Sequence, residues 1–160
     1  MRPMRFGLMF VSMLLAGVAF AQDNGSGYAY GFGSLGAFSD GGVVTHVGGG
    51  FERMLGRNFG VGAALGYMAA VQDMSEGIGL LDVNGSYYFT GDQARWIPFV
   101  TGGYTLGFRE GAENLFNVGG GINYWWNKRA GMRVEFRDHI YPGNYDGFHQ
   151  LDFRFGVVFH

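Results

Sequence analysis

The chain has 160 residues, with 11 Lys and Arg against 13 Asp and Glu for a formal charge of -2, so it offers no basic excess suited to nucleic acid. Cysteine is absent, which excludes the small disulfide-stapled secreted class. Glycine supplies 31 residues, far above the usual ~7%, spread through apolar segments without a collagen period or a linker-like cluster, and Lys128 is the only lysine. A surface so poor in lysine is not built like that of an ordinary soluble domain.

The first stretch, "MRPMRFGLMFVSMLLAGVAFAQ", carries Arg2 and Arg5, an apolar run from Phe6 to Leu15, and Ala19-Phe20-Ala21 before Gln22. This order reads as a secretory signal peptide over 1–21; the run is too short for the ~20 residues of a spanning anchor. The remainder, 22–160, suits one domain and contains no other stretch apolar enough for a transmembrane helix. Loss of Arg2 and Arg5 takes the formal charge from -2 to -4.

From Tyr28 onward, eight segments with period-two alternation are separated by short Gly, Asn and Asp clusters, and none has sustained helical periodicity. "GYAYGFGSLG" sets Tyr28, Tyr30 and Phe32 against Ala29, Gly31 and Gly33, and "VVTHVGGGFE" sets Val43, Val47 and Phe51 against His46, Gly48, Gly50 and Glu52. "FGVGAALGYMA" alternates Phe59, Val61, Leu65 and Tyr67 with Gly60, Gly62, Ala64 and Gly66. "LLDVNGSYYF" sets Leu81, Val83, Tyr87 and Phe89 against Asp82, Asn84, Ser86 and Tyr88. In "PFVTGGYTLGF", Val100, Tyr104, Leu106 and Phe108 oppose Thr101, Gly103, Thr105 and Gly107, and Phe99 interrupts the pattern. "LFNVGGGINYWW" sets Phe116, Val118, Ile122, Tyr124 and Trp126 against Asn117, Gly119, Gly121 and Asn123. "GMRVEFRDHIY" places Arg133, Glu135 and Arg137 opposite Met132, Val134 and Phe136, and "HQLDFRFGVVF" sets Leu151, Phe153, Phe155, Val157 and Phe159 against Gln150, Asp152 and Arg154.

Eight strands with short connections predict an all-β, antiparallel up-and-down barrel, because closure removes the exposed edges. A lipocalin-like soluble barrel would turn the apolar face inward and a membrane barrel would turn it to lipid. Three features favour lipid. The polar face is mostly Gly, Ala, Ser and Asn, a poor solvated surface but a good lining for a narrow barrel, with large residues on the wider outer circumference. Aromatic residues gather in two girdles: Tyr87, Phe89, Trp96, Tyr124, Trp125, Trp126 and Phe159 at one end, and Tyr67, Phe108, Phe116, Tyr141 and Phe148 at the other. Finally, an Arg facing lipid at midplane costs ~2 to 4 kcal/mol, so Arg133, Arg137 and Arg154 must point inward, with Glu52, Asp82, Glu135 and Asp152.

The order "NVGGGINYWWNKRAGMRVEFRDHIY", followed by "LDFRFGVVFH", resembles the small bacterial outer-membrane β-barrel domain family, similar in architecture to the OmpA and OmpX barrels, over nearly all of the mature chain. The resemblance implies an eight-stranded transmembrane barrel in the outer membrane, both termini in the periplasm, and a final strand read by the barrel-assembly machinery. Final strands of that family usually stop on the aromatic; here His160 follows Phe159.

That topology makes "RMLGRN", "TGDQAR" and "WNKRAG" inner turns and puts short outer loops near 37–42, 70–77, 109–114 and 142–147. The inward charges form either a packed ionic core or a gated pore, since eight strands enclose just enough width for side chains. His46, Asp138, His139, His149 and Ser39 are the candidates for a lipid hydrolase, but Ser26, Ser34, Ser39, Ser75 and Ser86 stand in no recognisable nucleophile pattern. His139 and His149 with Asp138 read as ordinary loop residues rather than a metal site. "GVGAALG" and "GGGI" lack the helix that a nucleotide loop needs. The expected protein is a monomeric, non-enzymatic outer-membrane barrel without cofactor, whose partners are membrane lipid and the assembly machinery.

Charge also sets the register of the last two strands. Opposed residues in an antiparallel pair have a constant index sum; 287 and 291 bring like charges together, and 285 forces Pro142-Gly143 into a poor two-residue turn. The sum 289 opposes Arg137 to Asp152 and Glu135 to Arg154, leaving 142–147 as the loop.

Overall fold

The computed structural model describes residues 27–39, 41–89, 94–109, 111–142 and 148–160; the signal-peptide assignment at 1–21 lies outside them. Eight antiparallel strands follow in chain order: β1 (Gly27–Phe38), β2 (Val43–Met54), β3 (Phe59–Ala70), β4 (Asp73–Tyr88), β5 (Trp96–Phe108), β6 (Ala112–Trp125), β7 (Ala130–Tyr141) and β8 (Phe148–Phe159). Each pairs with the next and β1 closes on β8, from Ala29 opposite Phe159 to Phe38 opposite Gln150. Closure satisfies every ladder internally, which is what a strand needs in lipid.

The alternation of the sequence becomes inside and outside. Val100, Phe136, Phe153 and Phe155 point outward and are among the exposed large apolar residues, while Arg137 and Asp152 on the other parity are 1% and 0% exposed. The β7–β8 register is the one with index sum 289: Arg137 lies opposite Asp152 and Glu135 opposite Arg154.

Three expectations are corrected. In β1 the large residues face inward: Tyr28, Tyr30 and Phe32 are buried, and small Ala29 has the outward parity, itself covered between Phe51 and Phe159 in the ladders. The reason is complementarity across the bore. A Cβ on inward Gly48 would stand 2.8 Å from the Phe32 ring and one on Gly50 2.8 Å from the Tyr30 hydroxyl, so the glycine-lined strand β2 leaves the volume that β1 fills. Phe99 does not interrupt β5; it continues the inward parity and is buried, against Gly121.

Second, the outer segments are more structured than the spacing suggested. β4 begins at Asp73, so 70–77 is mostly strand and the turn is only Val71-Gln72; β6 begins at Ala112, which shortens the 109–114 loop likewise. A register shift between Met68 and Ala70 accommodates the extension, and the Tyr67 hydroxyl holds it by donating to the Met74 carbonyl and accepting from the Gly77 N–H, both at 2.9 Å. Third, Tyr141 and Trp125 have inward parity and do not belong to the girdles; Trp125 packs edge-on against Tyr28 and stacks on His160 at 4.7 Å. The side chain of Phe148, most of the 142–147 loop and most of "TGDQAR" lie outside the described residues.

Candidate functional site

The barrel interior gathers the charged residues of four strands. Alternation on β7 aims Arg133, Glu135 and Arg137 at the axis, β8 adds Asp152 and Arg154, β4 adds Asp82 and β2 adds Glu52, all buried. Their contacts run mainly along a strand and across the bore rather than between opposed positions. Glu135 holds Arg133 at 2.9 Å and Arg137 at 2.5 Å, and Arg137 continues to Asp82 at 3.1 Å. Arg154 reaches Asp82 at 3.5 Å and its neighbour Asp152 at 3.4 Å. Glu52 accepts from the Tyr88 hydroxyl at 2.8 Å and lies 3.9 Å from Arg133. Every one of the seven predicted charges therefore has an opposite charge within 4 Å.

Aromatic rings complete the arginine environments. Arg133 lies over Phe99 at 3.9 Å and Tyr30 at 4.9 Å, and Arg154 lies over Phe32 at 4.6 Å. A guanidinium is weakly hydrated and stacks on ring faces, so the inward aromatics of β1 and β5 replace water that a narrow bore excludes.

Several members of the network were not assigned to it from sequence. His46 lies 3.3 Å from Asp152, which also accepts from Ser34 at 3.0 Å and Gln150 at 2.9 Å; His139 lies 3.9 Å from Asp82, which accepts from Thr105 at 2.6 Å. His139 is thus an interior residue and not a loop residue at the strand's exit. Parity was the available signal: His139 shares it with Arg137, His46 with Glu52, and Tyr88 with Asp82.

The hydrolase and metal candidates separate. His46 and His139 face the bore, whereas Asp138 and His149 face outward and bond to each other at 2.8 Å. The Ser39 hydroxyl lies 3.5 Å from the His149 backbone nitrogen, whose N–H donates to it, and Ser34 donates to Asp152. Among the described residues no group of three His, Asp or Glu converges on a metal position.

Apolar clusters flank the network toward both ends. Toward the termini, Tyr28, Tyr88, Ile97, Phe99 and Val158 cluster with Met54 and Trp125; toward the opposite end, Val44, Met68 and Leu80 pack with Phe38 and Ile78. Outside, the girdle at the termini's end is exposed at Tyr87, Phe89, Trp96, Trp126 and Phe159, with Tyr124 against Trp96 at 4.4 Å; Phe108 and Phe116 are exposed at the far end, where Tyr67 braces the β4 extension. Beyond the far girdle, Arg109 ties two hairpins by donating to the Glu76 carbonyl at 2.9 Å. Asp73 there accepts from the Ser75 hydroxyl at 2.6 Å and its N–H at 3.1 Å, which holds its carboxyl below the usual range.

A charged bore inside an apolar exterior is the arrangement of a small eight-stranded transmembrane β-barrel. Comparisons with solved structures agree on the fold. The N-terminal β-barrel domain of Pseudomonas aeruginosa OprF is 16% identical at a TM-score of 0.63, covering 84% of this chain and 97% of that one. Ail, the attachment invasion locus protein of Yersinia pestis, is 10% identical at 0.57, covering 84% and 96%. The outer membrane enzyme PagL is 14% identical at 0.58, covering 82% and 99%. No protein-family model and no curated protein matches the chain. The exposed apolar band is that of a barrel that crosses a bilayer.

Proposed function

We propose that the chain is a monomeric, non-enzymatic barrel that serves envelope structure or surface contact through its short outer hairpins. It reaches its place through the barrel-assembly machinery. The observation that supports this reading is the bore: an ion-paired core flanked by an apolar cluster toward each end favours a packed filling over a water path. The outer segments support the contact role because they are braced rather than loose, with Tyr67 and Arg109 holding the β4 extension.

A small gated channel is the second reading, favoured by the chain of ion pairs from Asp152 through Arg154, Asp82, Arg137 and Glu135 to Arg133, which spans much of the bore with movable side chains. Purified protein in planar bilayers separates the two. The expected record is flat, without unitary steps; reproducible steps that change with Arg137→Gln would replace the structural reading with the channel. Absence of lipid turnover by the same preparation is expected, and turnover abolished by Ser39→Ala or His149→Ala would make the chain an enzyme like the PagL neighbour.

A further inference from the structure

The two ends of the barrel differ in charge. At the termini's end, Arg53 at the close of β2, Arg57 in the β2–β3 turn, Arg95 before β5, and Lys128 and Arg129 in the β6–β7 turn are all exposed. Among the described residues this end carries no aspartate or glutamate except buried Glu52, and the sequence adds only Asp23 before β1 and Asp92 before β5. At the opposite end, among the described residues, Asp73, Glu76, Glu113 and Asp138 stand with one arginine, Arg109, and with His149 beside Asp138 at 2.8 Å. None of the five cations has an ion pair among the described residues, whereas Arg109 is paired with Glu76 at 3.7 Å.

We infer that this rim is a binding belt for anionic phospholipid head groups in the leaflet that surrounds the termini's end. The inference goes beyond the proposed role and rests on the membrane placement. The cations follow the edge of the apolar exterior, and the Trp96 and Trp126 side chains, 61% and 52% exposed, stand on the same rim, where indole rings sit at head-group level. Arginine offers a planar fork that matches a phosphate, and unpaired cations beside a lipid surface lower their energy against a phosphodiester more than against water. A zwitterionic head group pairs its own phosphate with an ammonium, so a rim with an excess of three charges, five cations less Asp23 and Asp92, favours the anionic lipid. The far rim, with its acidic excess, does not.

The chain contains its own probe: its three tryptophans, Trp96, Trp125 and Trp126, all lie at this end. Full-length mature protein would be folded into phosphatidylcholine vesicles containing a minor fraction of either brominated phosphatidylglycerol or brominated phosphatidylcholine, with folding checked by the gel shift between unheated and boiled samples. Relative association from tryptophan quenching is expected to favour the glycerol lipid by about 3-fold or more at low salt, falling toward one in ~1 M salt. The variant R53Q/R57Q/R95Q/K128Q/R129Q is expected to show a ratio near one at either salt. Equal quenching by both lipids in the folded wild type overturns the proposal, and if the protein is then retained by peptidoglycan, the rim belongs to a cell-wall contact. A preference that survives high salt overturns it as well, even if the variant fails to fold. Failure of the wild type to insert into either vesicle would instead overturn the membrane placement itself.

Discussion

Arg137 stands opposite Asp152 in the β7–β8 ladder, but its guanidinium goes to Glu135 on its own strand and to Asp82 across the bore. Opposed Cα atoms are only ~5 Å apart, so a long side chain aimed at the axis overshoots its opposite number and meets the far wall. The energetic partner is therefore Asp82. Replacing Arg137 with Leu leaves two buried carboxylates short of a counter-charge and is expected to cost ~3 to 5 kcal/mol in urea unfolding from detergent. A double-mutant cycle should show coupling of ~1 to 3 kcal/mol between Arg137 and Asp82 and near-additivity between Arg137 and Asp152. The opposite ranking would mean that the opposed pair is the real one. A second residue-scale contrast concerns glycine. A Cβ at Gly66 would run into the His46 ring, so Gly66→Val should cost ~1 to 3 kcal/mol by overpacking, while Gly33→Ala, with open space at its Cβ position, should stay within ~0.5 kcal/mol of the parent.

At the scale of the strand, one parity faces oil and the other a dry polar core, and β7 displays both without interruption. Phe136, 51% exposed and central in β7, lies between Arg137 and Glu135, which are buried. Phe136→Arg is expected to lose ~2 to 4 kcal/mol in lipid vesicles, because the new charge meets hydrocarbon at midplane. Equal stability in vesicles would put that face against water or protein. In β1 the same alternation carries large residues inward and small ones out, which shows that parity is set by neighbours. Once β2 and β8 fix the ladders, Tyr28, Tyr30 and Phe32 have one face available, and Gly48 and Gly50 make room for two of them.

For the whole molecule, the even strand number puts both termini at one end, together with the three turns that follow β2, β4 and β6. If that end is periplasmic, Lys128 is shielded in intact cells, and an impermeant amine reagent should modify it only after the outer membrane is permeabilised. Modification of Lys128 in sealed cells would reverse the orientation. A folded barrel should also migrate differently before and after boiling, since detergent alone does not open a closed ladder of this length. Identical migration with recovery in the soluble fraction would overturn the membrane reading.

Eight alternating segments, the turn clusters between them and the lipid cost of three arginines determined the strand number, the lipid-facing side and the β7–β8 register from sequence, because these depend on local period and on like-charge repulsion between adjacent strands. What paired with what was decided only by closure. Asp82, Arg137 and Arg154 lie on three strands and meet because the sheet curls until opposite walls are a side chain apart, a distance that no spacing along the chain encodes. The same closure placed His46 and His139 in the core and turned the β1 aromatics inward, since the volume left by a glycine-lined wall exists only after the barrel is complete.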